Sequence, residues 1–180
     1  MELQRFESHV LMVGAKEKDA GKTTLSERLL THFTEMDPTI WAAKVTVFRD
    51  HDTEWGFKIW EEENRNRDKD TGRLLRAGAS RVLWLKCDEA HLAQGIDELL
   101  KRLPAGPLLV ESNSARKIFR PGVFLMVQPQ KSSGAMKPSA ESVLTHVDHF
   151  VTASVTDFGL AFAPDPLDSL FFDEGAWQWR

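Results

Sequence analysis

Short apolar runs recur along the chain, and between them leucines and phenylalanines return at helical spacing. His9 to Gly14 (HVLMVG) is a continuous apolar run ending in glycine, the pattern of a buried strand. Leu25, Leu29 and Phe33 then recur every four residues, which predicts an amphipathic helix over Lys22 to Thr34, closed off by Pro38. Ile40 to Phe48 (IWAAKVTVF) is β-branched and aromatic and predicts a second strand. From Arg49 to Gly78 the chain turns polar, and Glu61 to Asp70 is almost wholly charged or amide. That stretch reads as an exposed excursion, with a short helix over Leu74 to Ala79.

Arg81 to Lys86 (RVLWLK) predicts a third strand, after which Asp88 can cap a helix whose Leu92, Ile96, Leu99 and Leu103 form one apolar face. Pro104 and Gly106 end it. Further strands are expected at Leu108 to Val110, Val123 to Val127 and Val147 to Thr152, with a helix near Ser139 to His146. Strands alternating with helices imply right-handed βαβ units, hence a three-layer α/β sandwich with a mostly parallel sheet. The alternation fails beyond Asp157. Residues 1–157 thus read as one domain, and 158–180 as an aromatic C-terminal tail. With Phe162, Phe171, Phe172, Trp177 and Trp179, that tail is too apolar to hang in water. It is expected to pack on the domain or on a second subunit, as in a homodimer.

Composition narrows the function classes. A length of 180 residues with 42% hydrophobic content suits one compact core. The net charge of −4 supplies no basic field for nucleic acid or an anionic membrane. Cys87 is the single cysteine, which excludes an intramolecular disulfide, and its place after a buried strand suits packing better than nucleophilic chemistry. Met1 to Glu17 lacks the apolar stretch of a secretory signal, and no run approaches the roughly 20 apolar residues of a membrane span. A cytoplasmic protein is the expectation. His51, His91, His146 and His149 lack ligand spacing with cysteine, so a structural zinc site is not expected.

The chemistry concentrates between the first strand and the first helix. Gly14-Ala-Lys-Glu-Lys-Asp-Ala-Gly21-Lys22-Thr23-Thr24 occupies the turn where open α/β sheets bind phosphate, because helix N–H groups and the helix dipole face the anion there. Nucleotide contacts are expected from Lys18, Asp19, Ala20, Gly21, Lys22, Thr23 and Thr24. Gly21 lets the backbone approach the phosphates, Lys22 reaches the β- and γ-phosphates, and the Thr23 hydroxyl ligates Mg²⁺. Six residues separate Gly14 from Gly21 where the usual motif has four, so strict register puts Lys16 at the first glycine position. A Mg²⁺–nucleotide site also needs an acid at the end of a neighbouring strand. Glu111, ending Leu108-Leu109-Val110, is the leading candidate for metal support and catalysis. Asp50, with Asp52 behind it, is the second, and Asp70 a third. Asn-Lys-x-Asp, the guanine-reading signature of many GTP-binding proteins, is absent from Thr152-Ala-Ser-Val-Thr-Asp157. GTP and ATP both remain open.

Lys69-Asp70-Thr71, then Arg76-Ala77-Gly78-Ala79, then Leu109-Val110-Glu111 follow the Gly-Lys-Thr-Thr loop in order. Over about residues 9 to 155 this resembles the molybdopterin-guanine dinucleotide biosynthesis protein B family of P-loop NTPases. The family's Lys/His-rich segment after the second strand has only Arg49-Asp50-His51-Asp52 in its place. The resemblance implies a GTP-binding, weakly hydrolysing dimer that helps attach a nucleotide to molybdopterin and serves a molybdenum-cofactor enzyme. Two other readings fit the loop. One is an ATP-dependent ligase or kinase similar to dethiobiotin synthetase, and the other a module that holds nucleotide without turnover.

Overall fold

A computed structural model describes residues 5–48, 56–132 and 134–180. The chain forms β1 (Arg5–Ala15), α1 (Lys22–Thr34), β2 (Trp41–Phe48), β3 (Phe57–Glu61), α2 (Asp70–Arg76), β4 (Val82–Asp88), α3 (Leu92–Lys101) and β5 (Leu108–Glu111). It continues through β6 (Phe119–Pro129), α4 (Pro138–Glu141), β7 (His149–Thr156), β8 (Gly159–Ala163), β9 (Leu170–Asp173) and β10 (Ala176–Trp179). One eight-stranded sheet runs β3-β4-β2-β5-β1-β6-β7-β8. Its interior strands, β4 through β7 in that order, are parallel, while β3 and β8 close the two edges antiparallel. The fold is therefore mixed α/β on a large, mostly parallel sheet.

Strand periodicity sorts the core into two halves. Along β1, Leu11, Val13 and Ala15 face α1, where Leu25, Leu29, Leu30 and Phe33 are buried. Val10 and Met12 face the opposite layer, which holds Leu92, Ile96 and Leu99 of α3. Parallel strands buried on both faces need apolar residues at every position, which is why the strand segments of the sequence read as unbroken apolar runs. Among the described residues no helix is long and apolar enough to cross a membrane.

Several boundaries differ from the sequence reading. The stretch expected to be an exposed excursion contains β3, whose Phe57-Lys-Ile-Trp-Glu alternates and pairs antiparallel with β4. The charged run after it is folded around a buried carboxylate. Glu62 accepts hydrogen bonds from the Thr71 hydroxyl at 2.7 Å, the Asn64 backbone N–H at 3.1 Å and Arg67 at 3.3 Å. A buried acid supplied with donors is as much a core element as a leucine. The helix expected over Leu74 to Ala79 is α2, which starts earlier, at Asp70. The one near Ser139 to His146 is split into α4 and a single 3-10 turn, Leu144–His146. Asp88 accepts from the His91 N–H at 2.9 Å and so caps the turn before α3, not the helix itself.

Beyond residue 157 the chain is structured. β8 adds to β7, and β9 pairs with β10 in a hairpin of its own. Trp177 of β10 is 3% exposed and meets Phe33 of α1 edge-on at 4.8 Å. Gly122 permits this approach, since a Cβ there would lie 3.0 Å from the Trp177 carbonyl oxygen and 2.2 Å from that of Ser8. Trp179 stacks on His149 at 4.0 Å.

Candidate functional site

The β1–α1 connection turns twice through the left-handed region, at Asp19 (φ 57°) and Gly21 (φ 96°). Gly21 is fixed as glycine by more than its backbone. A Cβ would approach the Leu160 side chain of β8 to 2.9 Å. Gly21 stands at the N-cap of α1, where its carbonyl accepts from the Leu25 N–H at 2.9 Å and no side chain caps the helix. The first-turn N–H groups, with the positive end of the dipole, therefore face the space above the loop.

Gly14 has a different task from the one its place in the motif suggests. It lies inside β1, where a Cβ would fall 2.5 Å from Asn113 Oδ1 and 2.9 Å from the Phe124 ring. Asn113 uses that proximity to bond both the N–H and the carbonyl of Ala15, each at 2.9 Å. The phosphate-loop candidate is thus residues 16–21, and Gly14 serves packing beneath it.

Register places the acid. β5 pairs with β1 so that Glu111 lies beside Val13, directly below the loop. Its carboxylate is fully buried and forms an ion pair with Lys22, and the Thr23 hydroxyl donates to it at 3.3 Å. Its second oxygen, Oε1, is buried and has no hydrogen-bond partner among the described residues. A buried carboxylate oxygen left without a donor costs free energy, and a cation arriving beside it would recover that cost. Asp70, the first residue of α2, pairs with Lys44 of β2. Burial pushes the Asp70 carboxyl up, but the Lys44 hydrogen bond and charge, the Lys22 charge and the Thr23 hydroxyl outweigh it and hold the group below its ordinary value. Asp50, like His51 and Asp52, lies outside the described residues.

These groups line one cleft of about 690 Å³ over the loop and the carboxyl end of β5. Residues 18–24, Glu111 and Asp70 all border it, so the structure brings the described site residues named from sequence together. Its position follows the rule for open sheets. The chain leaves β1 toward β2 on one side and later crosses to β6 on the other, opening a crevice at the strands' carboxyl ends.

Lys44, Arg73 and Lys137 are among the cleft residues that escaped the sequence reading. Lys44 sits alone in an apolar strand, which was its only signal. Arg73 of α2 grips Glu27 of α1 with bonds of 2.9 and 2.6 Å and reaches the Thr24 hydroxyl at 3.3 Å. The Glu27 hydrogen bond, against some loss from burial, raises the Arg73 pKa and fastens α2 to the loop end of α1. Lys137, from the segment before α4, also borders the cleft. Cys87 is buried, and burial with the nearby Asp88 and Glu89 charges pushes its thiol up to about 11. That suits packing and not nucleophilic attack.

A second, smaller groove of about 270 Å³ lies at the β3 edge between Trp60, Trp84, Arg67 and Lys86. The Lys86 ammonium stands 3.9 Å from the Trp84 ring centroid, and the Trp84 indole donates to the Thr46 hydroxyl at 3.0 Å.

Among the described residues, no three His, Cys, Asp or Glu side chains converge as a set able to hold a metal alone. Comparison of the chain with protein-family models, with curated proteins and with solved structures finds no match.

Proposed function

We propose that the protein is a P-loop nucleotide-binding protein that takes a nucleoside triphosphate, GTP or ATP, together with Mg²⁺, and hydrolyses it slowly. One observation carries this reading: Lys22, Thr23 and the buried Glu111 carboxylate meet at an uncapped helix start behind a left-handed glycine.

In this reading Lys22 exchanges Glu111 for phosphate oxygens when the ligand enters, and the first-turn N–H groups of α1 bond the same oxygens. The oxygen-only donor set of Thr23 Oγ1 and Glu111 fits a small hard cation that completes its coordination with phosphate and water. Mg²⁺ held there would neutralise charge on the phosphate oxygens. Lys22 would stabilise the charge that builds on the departing diphosphate as water adds to the terminal phosphorus, so positioning and electrostatics supply the rate. The sequence resemblance extends the proposal to a dimeric accessory role in attaching a guanosine nucleotide to molybdopterin.

Thermal melting with ATP and with GTP, each with and without Mg²⁺, tests the binding step. A ligand at 100 times its Kd stabilises the native state by about 2.7 kcal/mol. A rise in midpoint with one triphosphate, larger with Mg²⁺, is expected. No rise with either at millimolar concentration overturns the reading.

A further inference from the structure

Five lysines border the cleft, of which Lys18 is exposed and Lys117 pairs with Glu89. The other three reach it from three directions: Lys22 from α1, Lys44 from β2 on the β5 side, and Lys137 from beyond β6 on the other. Two of them have a carboxylate, Lys22 with Glu111 and Lys44 with Asp70. Lys137 makes no ion pair among the described residues, yet its side chain is half-buried. A cation drawn out of water toward two like charges is a standing cost unless an anion joins it. The electrostatics agree. Burial holds the Lys137 ammonium below the usual lysine value, the Lys22 and Lys44 charges push it further down, and Asp19 and Glu111 only partly oppose them.

The start of the phosphate loop positions this lysine. Lys16 and Glu17 are its first two residues. The Lys16 carbonyl accepts from the Lys137 N–H at 2.9 Å. The buried Glu17 carboxylate accepts from the Ser132 hydroxyl at 2.6 Å and the Gly134 N–H at 3.2 Å. The segment carrying Lys137 is thereby pinned to the phosphate loop at two points.

We infer that Lys137 is an additional anion-binding residue of the cleft, clamping the terminal phosphate from the β6 side and setting a preference for triphosphate over diphosphate. The inference rests on the nucleotide-binding reading above. Terminal phosphate is the partner because Lys137 borders the same cleft as Lys22 and Glu111, which hold the metal and γ-phosphate end of the site in that reading.

The test is a calorimetric titration of wild type, Lys137→Ala, Lys137→Arg and Lys22→Ala with the Mg²⁺ complexes of the tri- and diphosphate of one nucleoside. Lys137→Ala should weaken triphosphate binding about tenfold or more and diphosphate binding less than about twofold. Lys137→Arg should retain most of the discrimination, since it keeps the charge and the reach. Equal losses for both nucleotides, or no loss for either, overturn the assignment. If Lys22→Ala loses triphosphate while Lys137→Ala behaves as wild type, the Lys137 inference fails and the nucleotide reading stands. A wild type that binds neither nucleotide removes both.

Discussion

The cleft above β1 and the groove at the β3 edge are both lined by cations and both lie on the same sheet, yet they differ in what their polar groups lack. At the β3 edge every cation already has company. Arg67 reaches Glu62, Arg81 pairs with Glu61, and Lys86 sits over Trp84 with the indole bonded to Thr46. In the cleft above β1, by contrast, among the described residues the α1 start has no side-chain cap, one Glu111 oxygen has no donor, and Lys137 makes no ion pair with a carboxylate. Satisfied polar groups are architecture, while a concentration of unsatisfied ones marks where a ligand completes the structure. Charge and concavity alone would not have separated the two.

Four substitutions can break or sharpen that contrast. Lys22→Ala should have the largest effect, weakening triphosphate binding by at least about 100-fold, ~2.8 kcal/mol. It also strands Glu111 as a buried carboxylate without its cation, costing about 3 kcal/mol of stability in denaturant melts. The double variant Lys22→Ala, Glu111→Gln should recover most of that stability and none of the binding. If the single variant melts as wild type does, the ion pair is not the strut it looks to be.

Glu111→Gln comes next. The amide fills the same space without the charge, so Lys22 is no longer held back from phosphate. Triphosphate affinity without Mg²⁺ should be unchanged or higher, while the gain on adding Mg²⁺ and the Mg²⁺-dependent phosphate release should be lost. A Mg²⁺ titration of phosphate release checks this, with Asp70→Asn as the comparison. Normal hydrolysis in Glu111→Gln would move the metal-supporting acid elsewhere.

Asp70 offers a smaller, pH-resolved effect. Its folded pKa lies below its ordinary value of 3.8, because Lys44, Lys22 and Thr23 outweigh the burial that would raise it. The stability it contributes is therefore fully present above about pH 4 and is lost as pH falls through the lower folded value. Asp70→Asn should lower stability at neutral pH and leave it nearly unchanged at the acid end, so that the acid limb of the stability–pH profile flattens. An identical acid limb in the variant would argue against the pair.

The smallest effect belongs to the satisfied groove. Lys86→Ala removes a cation from an aromatic face, worth about 0.5–1 kcal/mol of stability at most. Triphosphate affinity should stay within about twofold of wild type. A large loss of affinity would mean the two grooves are coupled.

How far these features were legible depends on the range of the interaction that sets them. α1 reads directly over Lys22 to Thr34, because its apolar period and its Gly-Lys-Thr-Thr start are local. Glu111 could be named because a short apolar run ending in an acid, in a βαβ succession, has few places to go but beside the first strand. β3 could not be read, since Phe57-Lys-Ile-Trp-Glu is a strand only by virtue of β4, whose pairing residues lie more than twenty positions on. Glu62 looked solvated for the same reason: its donors Thr71 and Arg67 are brought in by the fold. The direction of Lys44 depends on strand parity against a cleft not yet located. Lys137 belongs to no period at all and is placed by its own N–H bond to Lys16 and by the bonds of Ser132 and Gly134 to Glu17. The aromatic tail announced its need to pack, but not that Gly159–Ala163 would extend the sheet and lay Leu160 against Gly21.

The central claim is that the uncapped start of α1, with Lys22, binds triphosphate. Its most direct test is calorimetric titration of Mg²⁺–ATP and Mg²⁺–GTP into wild type and into the Lys22→Ala, Glu111→Gln double variant, once melting shows that variant folded. The account predicts one site per chain in wild type for at least one of the two nucleotides, and a flat trace for both in the double variant. Equal binding to the two proteins, or none to wild type, would contradict it.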